Sequence, residues 1–276
     1  MDIKPYFFNP KTLFFFFGDL KNNKTEQIRI EEIQNINNQK MIQVSNIVAV
    51  LITFVLTNVF IILLNIANHY VKDKTKVIVV RLTIGVLFAI VSSLLLQVPL
   101  SFKMPILPTM FHLLQITILF IGFFYSVYRQ RDEISQYTDI EFIRVIIVAP
   151  MVEEMLFRGI FVPFLIHNNC STLFAFFYCS SLFGIAHLHH LISEKEITKK
   201  KIINSLVQVG FTTLFGMFST YVFLKTESMV TTILCHGYCN FLGFPDFSAM
   251  EDKKIRIVYI CGIVGFVLSF IIAFFF

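Results

Sequence analysis

Apolar residues in this chain fall into long runs rather than helical stripes or strand-like alternation. Eight such runs lie at roughly residues 46–68, 77–98, 109–128, 142–166, 171–189, 202–224, 228–245 and 255–276. Each is about the length, 17–25 residues, that crosses a bilayer as a helix. A lipid-embedded segment must satisfy its own backbone, so the runs are expected to be helices. The fifth and seventh are the least apolar, because they carry His187 and the pair His236 and Asn240. In the fourth, Pro150 removes a helical hydrogen bond and is expected to kink the helix, freeing the carbonyl four residues earlier, that of Ile146. Irregular backbone inside a membrane implies a cavity.

Composition agrees: 56% of the chain is hydrophobic, 15% is charged, and 34 residues are Phe. These values exclude a soluble globular domain. The five cysteines (Cys170, Cys179, Cys235, Cys239 and Cys261) lie in or beside apolar runs and read as small core residues rather than a disulfide framework. A net charge of +5 spread over short loops suits lipid headgroups better than nucleic acid, and no nucleic-acid motif is present. No basic segment followed by an apolar stretch and a cleavage site opens the chain, so a cleaved signal peptide is not expected. The run Phe14–Phe17 is too short to span, and residues 18–45 are rich in Asn, Gln, Lys and Glu. Residues 1–45 are therefore expected to form a polar, partly disordered tail, and 46–276 the transmembrane domain.

Lys and Arg are unevenly distributed among the connections. Lys72, Lys74 and Lys76, then Arg129, Arg131 and Arg144, then Lys195 and Lys199–Lys201, then Lys253, Lys254 and Arg256 follow the odd-numbered runs, whereas the even-numbered connections hold Lys103 and Lys225. The positive-inside rule places the first set in the cytosol and both termini on the far side.

In this topology three separated runs bring polar side chains to one depth near the cytosol. Glu154 and Arg158 are four residues apart with the acid first, the favourable order for a helical ion pair, while Glu153 is turned by about 100° onto another face. Arg158 is thus expected to neutralise Glu154 and leave Glu153 available. His236 and Asn240 are four apart and face one space, as do Phe183 and His187. His189 and His190 fall where the helix should leave the membrane and read as a solvated loop end. His69, His112 and His167 read as interfacial. Cys235, His236 and Cys239 lack the second ligand pair of a structural zinc site.

These residue types permit hydrolysis. A poorly solvated carboxylate beside an imidazole can activate water, and an imidazole and a carboxamide on one helical face can stabilise an oxyanion. There is no G-x-S-x-G elbow and no H-E-x-x-H.

The segments "APMVEEMLFRGIFVP", "FGIAHLHH" and "CHGYCNFLGFP" match the E-E-x-x-x-R, F-x-x-x-H and H-x-x-x-N motifs. Over about residues 140–247 the chain resembles the type II CAAX prenyl endopeptidases, within a wider group of intramembrane proteases and immunity proteins, and its eukaryotic branch in particular. The resemblance implies an all-α polytopic membrane protein of about eight transmembrane helices enclosing an intramembrane catalytic cavity. It implies removal of the C-terminal aaX tripeptide from farnesylated or geranylgeranylated CAAX proteins at the endoplasmic reticulum membrane, from the cytosolic side. By the same resemblance Glu153 and His187 would activate water and His236 and Asn240 would hold the oxyanion, with Glu154, Arg158 and Phe183 in support. No cofactor is expected, since Asn is a poor zinc ligand and a good donor, although the residues also allow a divalent metal such as zinc on Glu153, His187 and His236. Two other classes are compatible with buried acids and histidines: a non-catalytic scaffold for prenylated proteins, and an ion- or proton-coupled transporter. The internal repeat usual in transporters is absent.

Overall fold

The computed structural model describes residues 41–71, 73–130, 138–192, 198–243 and 248–272, and every regular element among them is helical. Most of the expected tail, residues 1–40, lies outside the described residues.

Capping side chains set several of the boundaries. Ser45 accepts from the Val48 N–H and opens α1 (Asn46–Tyr70). Asp73 accepts from the Lys76 N–H at the start of α2 (Lys74–Leu96), which ends at Gln97 in the left-handed region, φ 54°. Helices α3 (Ile106–Leu119) and α4 (Ile121–Gln130) meet at a bend of 51°. Next comes α5, continuous over residues 139–167 but with two π-helical stretches, Ile143–Val148 and Met155–Phe161. Ser171 caps α6 (Thr172–Ala186), and the short α7 (His189–Ile192) follows. Thr198 caps α8 (Lys199–Thr226) and Ser228 caps α9 (Met229–Leu242). A 3-10 turn, Ser248–Glu251, leads to α10 (Lys253–Ile272). At its head Asp252 accepts from the N–H groups of Lys254 and Ile255, which holds its carboxyl below the ordinary range.

The second half of α5 is the axis of the bundle. Leu156, Phe157, Ile160, Phe161, Val162, Phe164 and Leu165 are each at most 1% exposed. Helix α6 packs on α8, α1 on α2, and α3 and α4 on α10. The outward faces are apolar: Leu51 and Phe54 on α1, Leu87 and Leu94 on α2, and Leu206 and Leu214 on α8 are all exposed. Apolar surface on this scale belongs in lipid. The protein is an all-helical, multi-pass membrane protein; among the described residues four helices are long and apolar enough to cross, or five with the bent α3–α4 pair counted as one.

Three details depart from the sequence expectation. The last tail residues are held in place: Asn168 accepts from the Val44 N–H at 2.6 Å and donates to the Ile42 carbonyl, and the Ile42 N–H reaches Leu96. His112 is buried rather than interfacial, 4% exposed, with Nδ1 2.7 Å from Gln115 Oε1. Arg144, counted above among the loop cations, lies inside α5. Thr138 and Glu141 form a capping box that starts the helix at Asp139, within the charged stretch.

Candidate active site

Two prolines and two π turns shape the site on α5. In the first π stretch the Ala149 N–H bonds the carbonyl five residues back, that of Arg144. Residue 150 is proline and has no N–H, so neither of the next helical donors reaches the Val145 carbonyl. The side chain of Asn240 supplies the bond instead, Nδ2 donating to Val145 O at 2.8 Å. Sequence reasoning placed the freed carbonyl at Ile146; the π register moves it back to Val145. The Ile146 carbonyl faces Gly237, where a Cβ would overlap it. The pattern recurs before Pro163, where the Val162 N–H bonds Phe157 O, again five residues back. Such π turns are common at functional sites.

Glu153 and Glu154 sit in the α-helical turn between the two π stretches and go separate ways. Glu154 is fully buried and accepts three donors. Arg158 Nη1 lies 3.0 Å from Oε1, His236 Nδ1 2.8 Å from the same oxygen, and Ser219 Oγ 2.6 Å from Oε2. Arg158, also fully buried, completes its fork with Gly216 O at 3.1 Å and Thr220 Oγ1 at 3.4 Å, and its guanidinium lies 4.5 Å from the centre of the Phe183 ring. The expected pairing of Glu154 with Arg158 is present, within a hydrogen-bonded knot that ties α5 to α8 and α9. Sequence reasoning missed the α8 partners Gly216, Ser219 and Thr220. Their signal was three small or polar residues on one face of an otherwise apolar run.

Glu153 has about a quarter of its side chain exposed and lies 3.8 Å from His236 Nε2. It lines a cavity of about 1200 Å³ whose wall also holds His187, His236 and Asn240. Four sequence-nominated residues from three separate helix termini and turns therefore share one space. Phe183, the fifth, stacks edge-on against both His187 and His236, with ring centres 4.9 and 5.9 Å apart. The Phe183 carbonyl accepts from His187 Nδ1 at 2.9 Å, so in the neutral ring Nε2 is the proton acceptor. His189 is not a solvated loop residue. It lines the same cavity, with Nδ1 2.7 Å from Ala186 O. The side chain of His190 lies outside the described residues. Arg81 and Arg144 complete the charged part of the wall. Among the described residues no three His, Cys, Asp or Glu side chains form a group able to hold a metal ion.

Comparison with known proteins gives this geometry a context. The family model for type II CAAX prenyl endopeptidase Rce1-like proteins matches residues 136–242, the stretch that builds the cavity wall from Arg144 to Asn240. Over that segment the chain is similar to the Rce1-like endopeptidases. Within it lie all of the motif residues above. CAAX prenyl protease 2 of Homo sapiens is 33% identical over 130 residues, covering 45% of this chain and 39% of the relative. CAAX prenyl protease 2 of Arabidopsis thaliana is 32% identical over 127 residues, covering 44% and 40%. Probable CAAX prenyl protease 2 of Schizosaccharomyces pombe is 33% identical over 128 residues, covering 44% and 47%. The chain thus spans about two fifths of the length of the first curated relatives it matches. No solved structure matches it.

Proposed function

We propose that this protein is an intramembrane endopeptidase that removes the C-terminal aaX tripeptide from prenylated CAAX proteins. One observation carries the reading: Glu153, His187, His236 and Asn240 line a single cavity, within the segment that matches endopeptidases of this class.

In this reading a water molecule between Glu153 and His187 loses its proton to that pair as its oxygen attacks the scissile carbonyl carbon. The tetrahedral oxyanion takes donors from the His236 and Asn240 side. Asn240 has a second amide N–H beyond the one given to Val145. His236 donates through Nε2 when its ring is charged, because Glu154 already takes Nδ1. The carbon–nitrogen bond then breaks and the proton passes to the leaving amine, giving a prenylcysteine carboxylate and a tripeptide. The mechanism needs no metal.

The prenyl chain is accommodated by the aromatic wall, where Phe60, Phe120, Phe176, Phe215 and Phe218 line the cavity. Each methylene-sized unit buried there contributes about 0.8 kcal/mol. Eight crossings follow if α3 with α4 counts as one and α5, α6 and α9 complete the set. At 1.5 Å per residue α6 and α9 are only about 21–23 Å long, shorter than a bilayer core of about 30 Å, which suits helices that end at a cavity. The Lys and Arg asymmetry supports a cavity mouth on the cytosolic side, and the proposed substrate class supports a location in the endoplasmic reticulum membrane.

The full chain, purified in lipid, is expected to release tripeptide from a farnesylated CAAX peptide. Release from the prenylated peptide and not from its unprenylated counterpart supports the reading; no release from either overturns it.

A further inference from the structure

Arg144 is a half-buried cation among apolar residues, with no acidic partner among the described residues. It forms no ion pair or hydrogen bond with any described residue, and its Nε is buried without an acceptor. Across the cavity wall stands Arg81 on α2, close enough for the two positive charges to repel and for Glu153 to attract. Among the described residues, Arg81, Arg144 and Glu153 are charged groups of this cavity wall, while Glu154 is balanced by Arg158 behind it. A buried guanidinium N–H without an acceptor is costly, and the planar fork of Arg144 fits a carboxylate.

We propose that Arg144 receives the free C-terminal carboxylate of the substrate, with Arg81 reinforcing the positive end of the cavity. This rests on the endopeptidase reading above and adds to it a measure of substrate length. Arg144 stands nine residues before Glu153 on the same helix, about 13 Å along its axis. An extended tripeptide spans about 10 Å. A substrate with its carboxylate on Arg144 therefore presents to Glu153 the peptide bond three residues upstream. A peptide lacking the terminal charge leaves Arg144 unpaired, and one with extra residues moves the prenylated residue out of register.

The test compares a farnesylated peptide ending in a free acid with the same peptide ending in an amide, and with one extended by two residues, using the full chain in lipid. The parent is expected to prefer the free acid by roughly 10- to 100-fold in kcat/KM, the range of a hydrogen bond to a charged group, mainly through KM. Arg144→Gln is expected to bring the acid-to-amide ratio close to one, while Arg144→Lys, which keeps the charge without the fork, retains an intermediate preference. Should Arg144→Gln fail to fold, the parent's own acid-to-amide ratio and the Arg144→Lys variant still decide. A parent that cleaves acid, amide and extended peptides equally, or an Arg144→Gln enzyme that keeps the parent's ratio, overturns the carboxylate site and leaves the endopeptidase reading standing. A parent that cleaves none of the three overturns the endopeptidase reading itself.

Discussion

His236 directs Nδ1 at Glu154, 2.8 Å from Oε1, and this bond fixes what the rest of the ring can do. Glu154 accepts from Arg158 and Ser219 as well, so it is an acceptor towards the imidazole and the Nδ1 proton belongs to His236. Nε2 is thereby presented towards Glu153, as an acceptor in the neutral ring and a donor in the charged one. Glu154 therefore has a structural role and a positioning role at once: it balances Arg158 and sets the tautomer of the histidine on the cavity wall.

Removing Arg158 leaves Glu154 buried with its charge uncompensated. Arg158→Ala is expected to destabilise the protein by about 3–5 kcal/mol, the usual cost of breaking a buried pair from one side. Thermal unfolding in detergent checks this; an unchanged midpoint would contradict the knot described above.

Asn240 has two tasks that separate experimentally. Asn240→Ala removes the donor to the Val145 carbonyl, which costs about 1–3 kcal/mol of stability. In the proposed mechanism it also lowers turnover by roughly 10²–10³-fold, as for one oxyanion donor. Measuring unfolding and peptide cleavage on the same preparation resolves the two. A variant that loses stability but keeps its turnover would confine Asn240 to the backbone.

Much of this was legible in the sequence because charge in an apolar run is conspicuous. Glu153, Glu154, Arg158, His187 and His236 announced themselves, and four-residue spacing paired Glu154 with Arg158. What stayed hidden has physical reasons. Ser219 and Thr220 are ordinary in membrane helices, where each can bond its own backbone, so their role as partners of Glu154 and Arg158 shows only when α8 is packed. The π register depends on Pro150 and Asn240 together, residues ninety positions apart that no local pattern connects. Arg144 was lost to a boundary: the charged stretch before it resembles a loop, and the capping box of Thr138 and Glu141 was the overlooked signal.

Gly237 faces the Ile146 carbonyl, and a side chain there meets backbone rather than a flexible neighbour. Gly237→Ala is expected to push α9 away from the first π stretch, costing about 1–3 kcal/mol or more as overpacking. Because His236 is the adjacent residue, activity is expected to fall with stability. Unfolding in detergent tests this, and a variant as stable as the parent would place α9 and α5 further apart than described.

The proposed orientation puts the start of α8 in the cytosol. With the native cysteines controlled, Lys200→Cys, at an exposed position, is expected to react with an impermeant thiol reagent added to the cytosolic face of sealed vesicles, and Lys103→Cys only from the opposite face. The reverse pattern would invert the topology.

The proposed base is Glu153, and Glu153→Gln tests it with little change of shape. The carboxamide keeps the volume and shape of the side chain but replaces one acceptor oxygen with an NH2 donor and is not basic. Binding of a prenylated peptide is expected to stay near the parent's, while turnover falls by at least the 10²–10⁴-fold typical of a lost acid–base group. The same variant bears on metal dependence. If Glu153 and His187 alone activate the water, a strong chelator leaves the parent active and Glu153→Gln is not rescued by any divalent ion. If a metal on Glu153, His187 and His236 supplies the nucleophile instead, rigorous metal removal abolishes the parent's activity and one particular divalent ion restores it. That second result would make these three residues ligands and overturn the role proposed for Glu153.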